Sequence, residues 1–433
     1  MVVPRLPTGL SDPVNYVCSC PARETKDGGL VLLFYRYFSN TPSLPPSIDI
    51  TQARVQELAA FHKSLTQTLC LTGKIRIAAE GFNVTVAGLT SSIHEYESAL
   101  LSHWSLAGLS LTSPAEQKAF FKPSPGCACV FAPATEAAVQ ICAEITPLGI
   151  EGYTPRNWDS VEELVPREFH RRCVQGAERV RLMDLRNHYE SRVGFFVDGR
   201  GNRALLPQIR RFSQWPRFWT GAETGVGRGG GRIEGRDEDR EEQILTYCTG
   251  GIRCEKATRW MAERETERRE GGSGRRICTL KGGIAAYLDW VDGEVAQGRM
   301  VVEDSLFKGR NYVFDARGAV GLNTSTHPVA KCHVCGKDED RLSKCKSQGC
   351  HLVLVVCADC EREDPRCCAS CSELTSEGTK GMCICERERE FSLWGVEDVK
   401  EKRTQGWRKA KAKAKEKEKA KANPINVNTT SEV

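Results

Sequence analysis

The loop that opens at Cys248 and closes at Cys254, with the sequence CTGGIRC, contains the residue types that generate a reactive thiolate. A short apolar run before the loop predicts a strand that ends at the cysteine, and the residues after it predict a helix. Gly250 and Gly251 have no Cβ atom, so the backbone amides can turn toward the sulfur. The positive end of the helix dipole and the Arg253 guanidinium favour an anion at the same point. The sequence therefore predicts that Cys248 is ionised at neutral pH and acts as a nucleophile.

Neighbouring residues are candidate partners of this nucleophile. Arg186, which follows a predicted strand together with Asp184, is a candidate for steering the substrate, and the alternative is a structural ion pair, which is favoured for Asp184. Cys254 fits two roles, a resolving thiol that closes a disulfide with an oxidised Cys248 or a buried residue at the start of a helix. The loop residues between the two cysteines are predicted to bind the substrate: Thr249, Gly250, Gly251, Ile252 and Arg253.

The length of the loop separates two kinds of chemistry. The spacing Cys-x4-Arg is one residue shorter than the Cys-x5-Arg loop of tyrosine phosphatases. A smaller ring of amides suits a persulfide sulfur better than a phosphate, so phosphatase activity is disfavoured. Sulfur transfer stays open, because Cys248 could attack a small sulfur donor such as thiosulfate, release sulfite and keep a persulfide.

A second group of cysteines predicts metal binding. Of the 21 cysteines, 11 lie between Cys332 and Cys385. Soft thiolates at short intervals suit structural Zn²⁺, and eight of them would close two sites, with the first and third pairs sharing one ion. Cys367, His333 and His351 are alternative ligands, and unligated thiols are the alternative interpretation. Such clustering is typical of a reducing compartment and favours a cytoplasmic protein. The predicted ligands are Cys332, Cys335, Cys345, Cys350, Cys357, Cys360, Cys368 and Cys371.

The elements that must position these residues follow two patterns. Strands alternate with helices over residues 155–300, which predicts an α/β fold with a parallel sheet covered on both faces. Residues 30–150 follow the order βαββαβ and predict a preceding α+β domain of the ferredoxin-like type, with further strand-like runs near 118–132. The predicted divisions are an extended segment 1–29, the ferredoxin-like domain 30–150, the parallel-sheet domain 155–300 with insertions 221–243 and 263–276, a Cys-rich zinc module 301–385 and a basic tail 386–433.

Charge and hydropathy restrict the function classes further. The formal net charge is +5, yet residues 400–422 hold 11 Lys and Arg against three Glu, so the rest of the chain is slightly negative. If composition attracts the protein to nucleic acid, the attraction would come from this tail. The alternative interpretation is that the tail is only a solvated run. No run of about 18 apolar residues occurs, so we expect no membrane association. The N-terminus lacks the apolar core of a secretory signal and gives poor support to an organelle transit peptide.

Several segments resemble one known family. YCTGGIRCEKA (247–257) is similar to the signature of the rhodanese-type tRNA uridine hydroxylases. Five further segments resemble the family in the same order, although Val84 stands where the family usually has glycine. These segments are KIRIAAEGFNVTVAG (74–88), MDLRNHYESRVGFF (183–196), LKGGIAAYL (280–288) and YVFDARGAV (312–320) followed by CHVCG (332–336).

The resemblance implies a rhodanese-like domain and a specific reaction. This reaction is hydroxylation of the wobble uridine of tRNA at C5, with molecular oxygen as co-substrate, the tRNA anticodon stem-loop as partner and Cys248 as the essential residue. The sequence shows no flavin or NAD motif. Thiolate addition to C6 would make C5 nucleophilic toward oxygen, which is our hypothesis for the chemistry. A thiosulfate sulfurtransferase is the alternative enzyme, and the intact Cys248 and Arg253 argue against a noncatalytic adaptor.

Overall fold

The computed structural model describes residues 28–131, 134–175, 180–224, 243–267, 275–322, 327–347, 350 and 352–373. Several predicted features lie outside these residues. They are residues 1–27 of the N-terminal segment, residues 225–242 and 268–274 of the two insertions, His351, Cys383, Cys385 and the basic tail.

The N-terminal part forms a five-stranded sheet with the order β4-β1-β3-β2-β5. Strand β1 is antiparallel to β3 and β4, and β2 is antiparallel to β3 and parallel to β5. This arrangement confirms the ferredoxin-like α+β prediction and adds a strand at one edge. The elements are β1 (Gly29–Tyr37), α1 (Gln52–Thr68), β2 (Thr72–Ala78), β3 (Gly81–Leu89), α2 (Thr90–Leu101), α3 (Pro114–Phe121), β4 (Ser124–Pro125) and β5 (Ala137–Ile141).

The strand-like runs predicted near 118–132 are mostly helical, which corrects that prediction. Helix α3 begins at a capping box in which Ser113 and Glu116 satisfy each other's backbone amides, with Pro114 at the first helical position. These start signals outweigh the strand preference of the aromatic residues that follow. After α3, a 3₁₀ helix covers Ala128–Phe131. Between these two helices, only the two residues of β4 are paired as a strand.

Alternation along β1 gives the N-terminal sheet two different faces. Leu32 and Phe34 point into the core that the sheet shares with α1 and α2. Tyr35 and Tyr37 point to the opposite face, where they belong to a separate apolar cluster with Ile252. Because successive side chains of a strand alternate between faces, one strand both fills the core and contacts the rest of the chain.

The central part is a four-stranded parallel sheet with the order β6-β10-β9-β7. Helices α4 and α7 cover one face of this sheet and α5 and α6 cover the other, which confirms the α/β prediction. The elements are β6 (Glu162–Leu164), α4 (Pro166–Gln175), β7 (Val180–Asp184), β8 (Gly194–Phe196), α5 (Trp215–Thr224), β9 (Gln243–Tyr247), α6 (Ile252–Glu267), β10 (Arg276–Leu280) and α7 (Gly283–Ala296).

The remaining elements are short and partly join the α/β core. Strand β11 (Phe307–Gly309) pairs with β8, and Leu306 and Phe307 are buried in the same cluster as Phe196. The chain beyond residue 300 therefore starts inside the parallel-sheet part, and the predicted division at 300 stays a prediction. The other elements are β12 (Asn311–Tyr312), β13 (Ala319–Val320), β14 (Leu342–Lys344), β15 (Val353–Val355), α8 (Ala358–Glu361) and α9 (Ala369–Glu373). Among the described helices, none combines the length and apolarity needed to cross a bilayer.

Candidate active site and metal centre

The loop between β9 and α6 surrounds the sulfur of Cys248. The Gly251 N–H donates a hydrogen bond to Cys248 Sγ at 3.2 Å, and the amides of Arg253 and Cys254 also point at the sulfur. Gly251 has φ +103°, a conformation that favours glycine. The start of α7 supports the loop, since the Ile284 N–H donates a hydrogen bond to the Cys248 carbonyl at 2.9 Å. The thiol therefore lies in a rigid ring of donors.

The surroundings of Cys248 favour its thiolate. Burial alone would raise the pKa of this thiol. A hydrogen bond from the Cys254 thiol, the positive charge of Arg253 and the amides of Cys254 and Arg253 outweigh burial and lower the pKa to about 6. The proton that the pair shares stays on Cys254, because burial and the neighbouring thiolate raise the pKa of that thiol well above its usual value. Cys248 is thus suited to act as a nucleophile at neutral pH.

We expect Cys248 to titrate near pH 6 in the folded protein. With a pKa of about 6, about 90% of this thiol would be ionised at pH 7, against about 3% of a thiol with the ordinary pKa near 8.5. The measurement is the ultraviolet thiolate absorbance of the wild type minus that of Cys248→Ser, followed from acid to alkaline pH. The difference signal should appear as the pH rises through about 6. A midpoint above pH 8 would contradict the thiolate assignment.

A buried carboxylate holds the guanidinium of Arg253. Arg253 donates from both terminal nitrogens to the two oxygens of Glu190, each at 2.7 Å, and Glu190 is fully buried. Thr249 Oγ1 donates to the same carboxylate at 3.1 Å and accepts from Arg253 at 2.9 Å. Arg253 therefore acts on the thiolate through its charge, while its fork of donors is occupied, and Thr249 faces inward. Glu190 lies in the segment 183–196 that resembles the family, but sequence reasoning gave it no role, because no local pattern links it to a loop so distant in the chain.

We expect Glu190→Gln to destabilise the protein strongly. The substitution leaves the buried guanidinium of Arg253 without its counter-charge, which costs about 3–5 kcal/mol of the free energy of unfolding. Urea denaturation measures this loss. The double variant Glu190→Gln/Arg253→Met should lose less than the two single variants together, since neither charge is then left alone. Asp289→Asn removes an exposed partner of Lys118 and should leave the unfolding free energy nearly unchanged. An equally small effect of Glu190→Gln would refute the ion-pair argument.

Arg186 occupies a structural position. Its side chain is fully buried, pairs with Asp184 at 2.6 Å and donates to the Gly194 carbonyl at 2.7 Å. The side chain has no exposed surface. The geometry therefore favours the structural ion pair, which stabilises the turn after β7, and the predicted substrate contact stays a prediction.

The N-terminal sheet forms one wall of the site, which the sequence did not predict. Tyr35 Oη donates to Glu255 at 3.0 Å and Tyr37 Oη donates to the Ile252 carbonyl at 3.3 Å. A Cβ atom on Gly251 would lie 2.5 Å from Tyr35 Oη, and one on Gly250 would lie 2.9 Å from Leu33. The positive φ of Gly251 together with this close contact favours glycine there, whereas a Cβ at Gly250 would displace only the end of the flexible Leu33 side chain.

Two further titratable groups contact Tyr35, on the wall that faces the reactive loop. The ammonium of Lys122, which directly follows α3, lies 5.3 Å from the centre of the Tyr35 ring. Burial lowers the pKa of Lys122 to about 8, although the negative charges of Glu255 and Cys248 act in the opposite direction. Burial and the neighbouring Glu163 raise the pKa of Glu255 to about 7. Lys122 belongs to the N-terminal part and is far from Cys248 in sequence, so the local sequence around the reactive loop gave no signal for it.

The Cys-rich segment places its thiols in two groups of four. Within each group all the sulfur atoms lie within 4.8 Å of one another, as ligands of one metal ion require. The first group combines the first and third predicted pairs. In the second group Cys367 stands in place of the predicted Cys368. The groups are Cys332, Cys335, Cys357 and Cys360, and Cys345, Cys350, Cys367 and Cys371.

The positions of the sulfur atoms explain the difference at Cys367. Cys367 and Cys368 both precede α9, and the sulfur of Cys367 lies 3.3 Å from that of Cys371. The Cys367 N–H also donates to the sulfur of Cys345 at 3.4 Å. The sulfur of Cys368 lies 3.9 Å from that of Cys367 and 3.1 Å from the hydroxyl of Ser370, outside the group of four. The donor set of each group is all thiolate, which fits a soft metal ion in a closed structural site.

Family models match both ends of the described chain. The model described as "UPF0176 acylphosphatase like domain" matches residues 30–124, which include the ferredoxin-like sheet. The model described as "Rhodanase C-terminal" matches residues 308–372, which include both cysteine groups.

Comparison with whole proteins extends this likeness across the reactive loop. A tRNA uridine(34) hydroxylase of Bacillus cytotoxicus is 30% identical over 342 residues, which are 78% of this chain and 86% of the relative. A tRNA uridine(34) hydroxylase of Leptospira interrogans is 33% identical over 187 residues, 43% of this chain and 41% of the relative. Rhodanese-like domain-containing protein 6 of Arabidopsis thaliana is 28% identical over 348 residues, 76% of this chain and 50% of the relative. The match thus covers half or less of the length of the Leptospira and Arabidopsis relatives and most of the length of the Bacillus relative. On the identity and coverage of that first match, the chain belongs to the tRNA uridine(34) hydroxylase family.

Proposed function

We propose that this protein hydroxylates the wobble uridine of tRNA at C5 with molecular oxygen, and that Cys248 is the nucleophile. The observation that carries the proposal is a buried thiol whose pKa is lowered to about 6, in a chain of the tRNA uridine(34) hydroxylase family. The substrate would be the anticodon stem-loop, whose unpaired bases are already available for recognition. The thiolate-rich segment fits a reducing compartment, so we place the activity in the cytoplasm.

The proposed chemistry begins with addition of the Cys248 thiolate to C6 of uracil. The electron pair of the C5–C6 double bond then moves toward the C4 carbonyl, and C5 becomes nucleophilic toward oxygen. The Lys122 ammonium lies over the Tyr35 ring and interacts with the charge of Cys248, so it would stabilise the negative charge that passes from the sulfur to the base. Glu255, with its pKa raised to about 7, lies close enough to Tyr35 and the loop to accept or supply a proton.

The balance of the reaction assigns a role to Cys254. One oxygen atom is transferred to C5 and the other leaves as water, which consumes two electrons and two protons. Addition of oxygen to C5 gives a hydroperoxide there, and the Cys254 thiol takes its outer oxygen as a sulfenic acid, which leaves a hydroxyl on C5. Loss of the C5 proton then expels the Cys248 thiolate from C6 and restores the double bond, and this thiolate attacks the sulfur of Cys254 and releases water. The dithiol thus supplies the two electrons and two protons, so uridine, oxygen and the dithiol become hydroxyuridine, water and the disulfide. The contact between the two thiols supports Cys254 as this second sulfur. An external thiol would then reduce the disulfide before the next turnover.

Access to the sulfur requires a movement of the N-terminal wall. Cys248 has no exposed surface, and Leu33 and Tyr35 lie against its loop. A base therefore reaches C6 contact distance only after the side chains of Leu33 and Tyr35 move away from the loop. Such opening is a common step in enzymes that exclude water from their chemistry.

We also propose that both cysteine groups bind Zn²⁺. A closed site of four thiolates stabilises the fold and leaves no position for a substrate, so the metal ions would be structural. Tyr189, next to the carboxylate that holds Arg253, packs against the cysteine groups, and the Arg210 guanidinium donates to the Cys350 carbonyl. The ions would therefore stabilise the segment that supports the reactive loop.

Nucleoside analysis of tRNA tests the proposed function. Mass spectrometry should show that cells lacking the gene lose hydroxylated wobble uridine and regain it with the wild-type gene, and that a Cys248→Ser gene does not restore it. An unchanged amount of the modified nucleoside in the deletion strain would overturn the proposal.

The sulfurtransferase alternative rests on the same ring of amides. The hydrogen bond from Gly251 to the sulfur would serve a persulfide as well as a thiolate. Purified protein can be assayed for transfer of sulfur from thiosulfate to cyanide. Robust transfer, combined with unchanged hydroxylated uridine in the deletion strain, would favour the alternative.

A further inference from the structure

Phe314 is an exposed aromatic ring at the edge of the reactive loop. The side chain is 50% exposed, and the other exposed large apolar side chains of the described residues are aliphatic. The guanidinium carbon of Arg253 lies 5.9 Å from the centre of the ring. Phenylalanine normally buries its ring, because the transfer of so large an apolar surface from water is favourable. This ring, beside the reactive loop, is a candidate contact for a ligand.

The turn that presents Phe314 is rigidly held. It joins β12 to β13, and the Val313 N–H donates to the Gly318 carbonyl at 2.9 Å. A buried ion pair of Arg317 with Asp315 at 2.7 Å closes the turn. The N-terminal part fixes it from outside, since the Ala316 N–H donates to the Val130 carbonyl at 2.9 Å. The outward position of the ring is thus built into the fold.

Two more aromatic rings pack in series behind Phe314. Its ring meets that of Tyr312 edge to face, with the centres 5.1 Å apart. Tyr312 in turn meets Tyr189, with the centres 5.5 Å apart, and Tyr189 packs against the cysteine groups. Phe314 is the most exposed of the three. The array extends from the candidate metal centre to the surface beside the loop.

A cation lies next to the exposed ring. The ammonium of Lys74, on the N-terminal sheet, donates to the Phe314 carbonyl at 3.2 Å, and its side chain is exposed. Proteins that bind single-stranded nucleic acid combine aromatic rings that stack on bases with cations that contact phosphates. A protein partner would be a poorer fit, because an interface of ordinary size buries about 800 Å² on each side and needs more than one exposed ring.

We propose that Phe314 and Lys74 form a stacking site for an unpaired base of the anticodon loop, adjacent to the base that enters the Cys248 loop. The ring stacks on the base and the ammonium of Lys74 contacts a neighbouring phosphate. This inference rests on the proposed function, because it takes tRNA as the substrate. It assigns part of the RNA recognition to the folded body of the protein.

The test measures the affinity of the full chain for an anticodon stem-loop RNA. Loss of one base–aromatic stack costs about 1–3 kcal/mol, so Phe314→Ala should weaken binding about 5- to 150-fold. Phe314→Trp keeps a stacking ring and should bind within about twofold of the wild type. Lys74→Met should reduce the slope of log affinity against log salt concentration by about 1. Val301→Ala, which shortens another exposed apolar side chain, serves as the matched control and should not change the affinity. An unchanged thiolate titration of Cys248 shows that each variant is folded.

Three outcomes separate this inference from the proposed function. If the wild type binds the RNA and Phe314→Ala binds equally well, the stacking site is refuted and the proposed function stands. If Phe314→Ala and Phe314→Trp lose the same affinity, the ring does not act by stacking, and the inference again fails. If the wild type does not bind the anticodon stem-loop at all, both the stacking site and the proposed substrate are refuted.

Discussion

Cys248→Ala should abolish formation of hydroxylated uridine, with a fall in rate on the order of 10³-fold or more, because the substitution removes the nucleophile. Purified protein, unmodified tRNA, oxygen and a thiol reductant are incubated together, and the modified nucleoside is measured by mass spectrometry. Cys173→Ala is the matched control, since Cys173 is equally buried but lies in α4 within the core of the parallel-sheet part. This control should retain activity, with at most a modest loss of stability.

Cys254→Ser separates the nucleophile from the second sulfur. This variant keeps Cys248, so it should still add to the base, but it cannot close the disulfide. Without added thiol, the wild type should complete about one turnover and accumulate the disulfide, whereas Cys254→Ser should complete none. Equal product from the two proteins under these conditions would rule out Cys254 as the internal electron donor. Activity of Cys248→Ala above background would contradict the whole mechanism.

Removal of metal should have the largest effect on stability. Structural zinc sites contribute about 10–16 kcal/mol of binding free energy, which is folding free energy for the segment that binds the ion. A chelator should therefore unfold the segment from Cys332 to Cys371, with increased proteolysis there. The loss should extend to the reactive loop, because Tyr189 packs on the cysteine groups and adjoins the Glu190 carboxylate. The thiolate titration of Cys248 should then move toward that of an ordinary thiol.

Metal analysis of two neighbouring variants tests the ligand set. Wild-type protein should contain about two equivalents of zinc, one for each group of four thiols. Cys367→Ala should lose one equivalent, and Cys368→Ala, the matched control on the next residue, should keep both. The opposite result would restore the pairing that the spacing of the cysteines predicted. Less than one equivalent in the wild type would refute zinc binding altogether.

Local patterns in the sequence were sufficient to predict the parts of the structure that depend on neighbouring residues. The strand that ends before Cys248, the glycines that follow it and the helix that begins at Ile252 are encoded within a short stretch, because strand and helix periodicities are local. The parallel sheet and the ferredoxin-like order followed from the same periodicities. Even the grouping of the first and third cysteine pairs could be predicted from the spacing of the cysteines.

Contacts between distant parts of the chain were decided by packing. The carboxylate of Glu190 neutralises Arg253, and the N-terminal part brings Tyr35 and Lys122 to one side of the reactive loop, although these residues are far from the loop in sequence. No periodicity encodes such pairs, since they depend on how whole elements are oriented against each other. The grouping of Cys367, rather than Cys368, with the other three thiols has the same origin, because the two residues are adjacent and only the folded backbone decides which sulfur lies among the others.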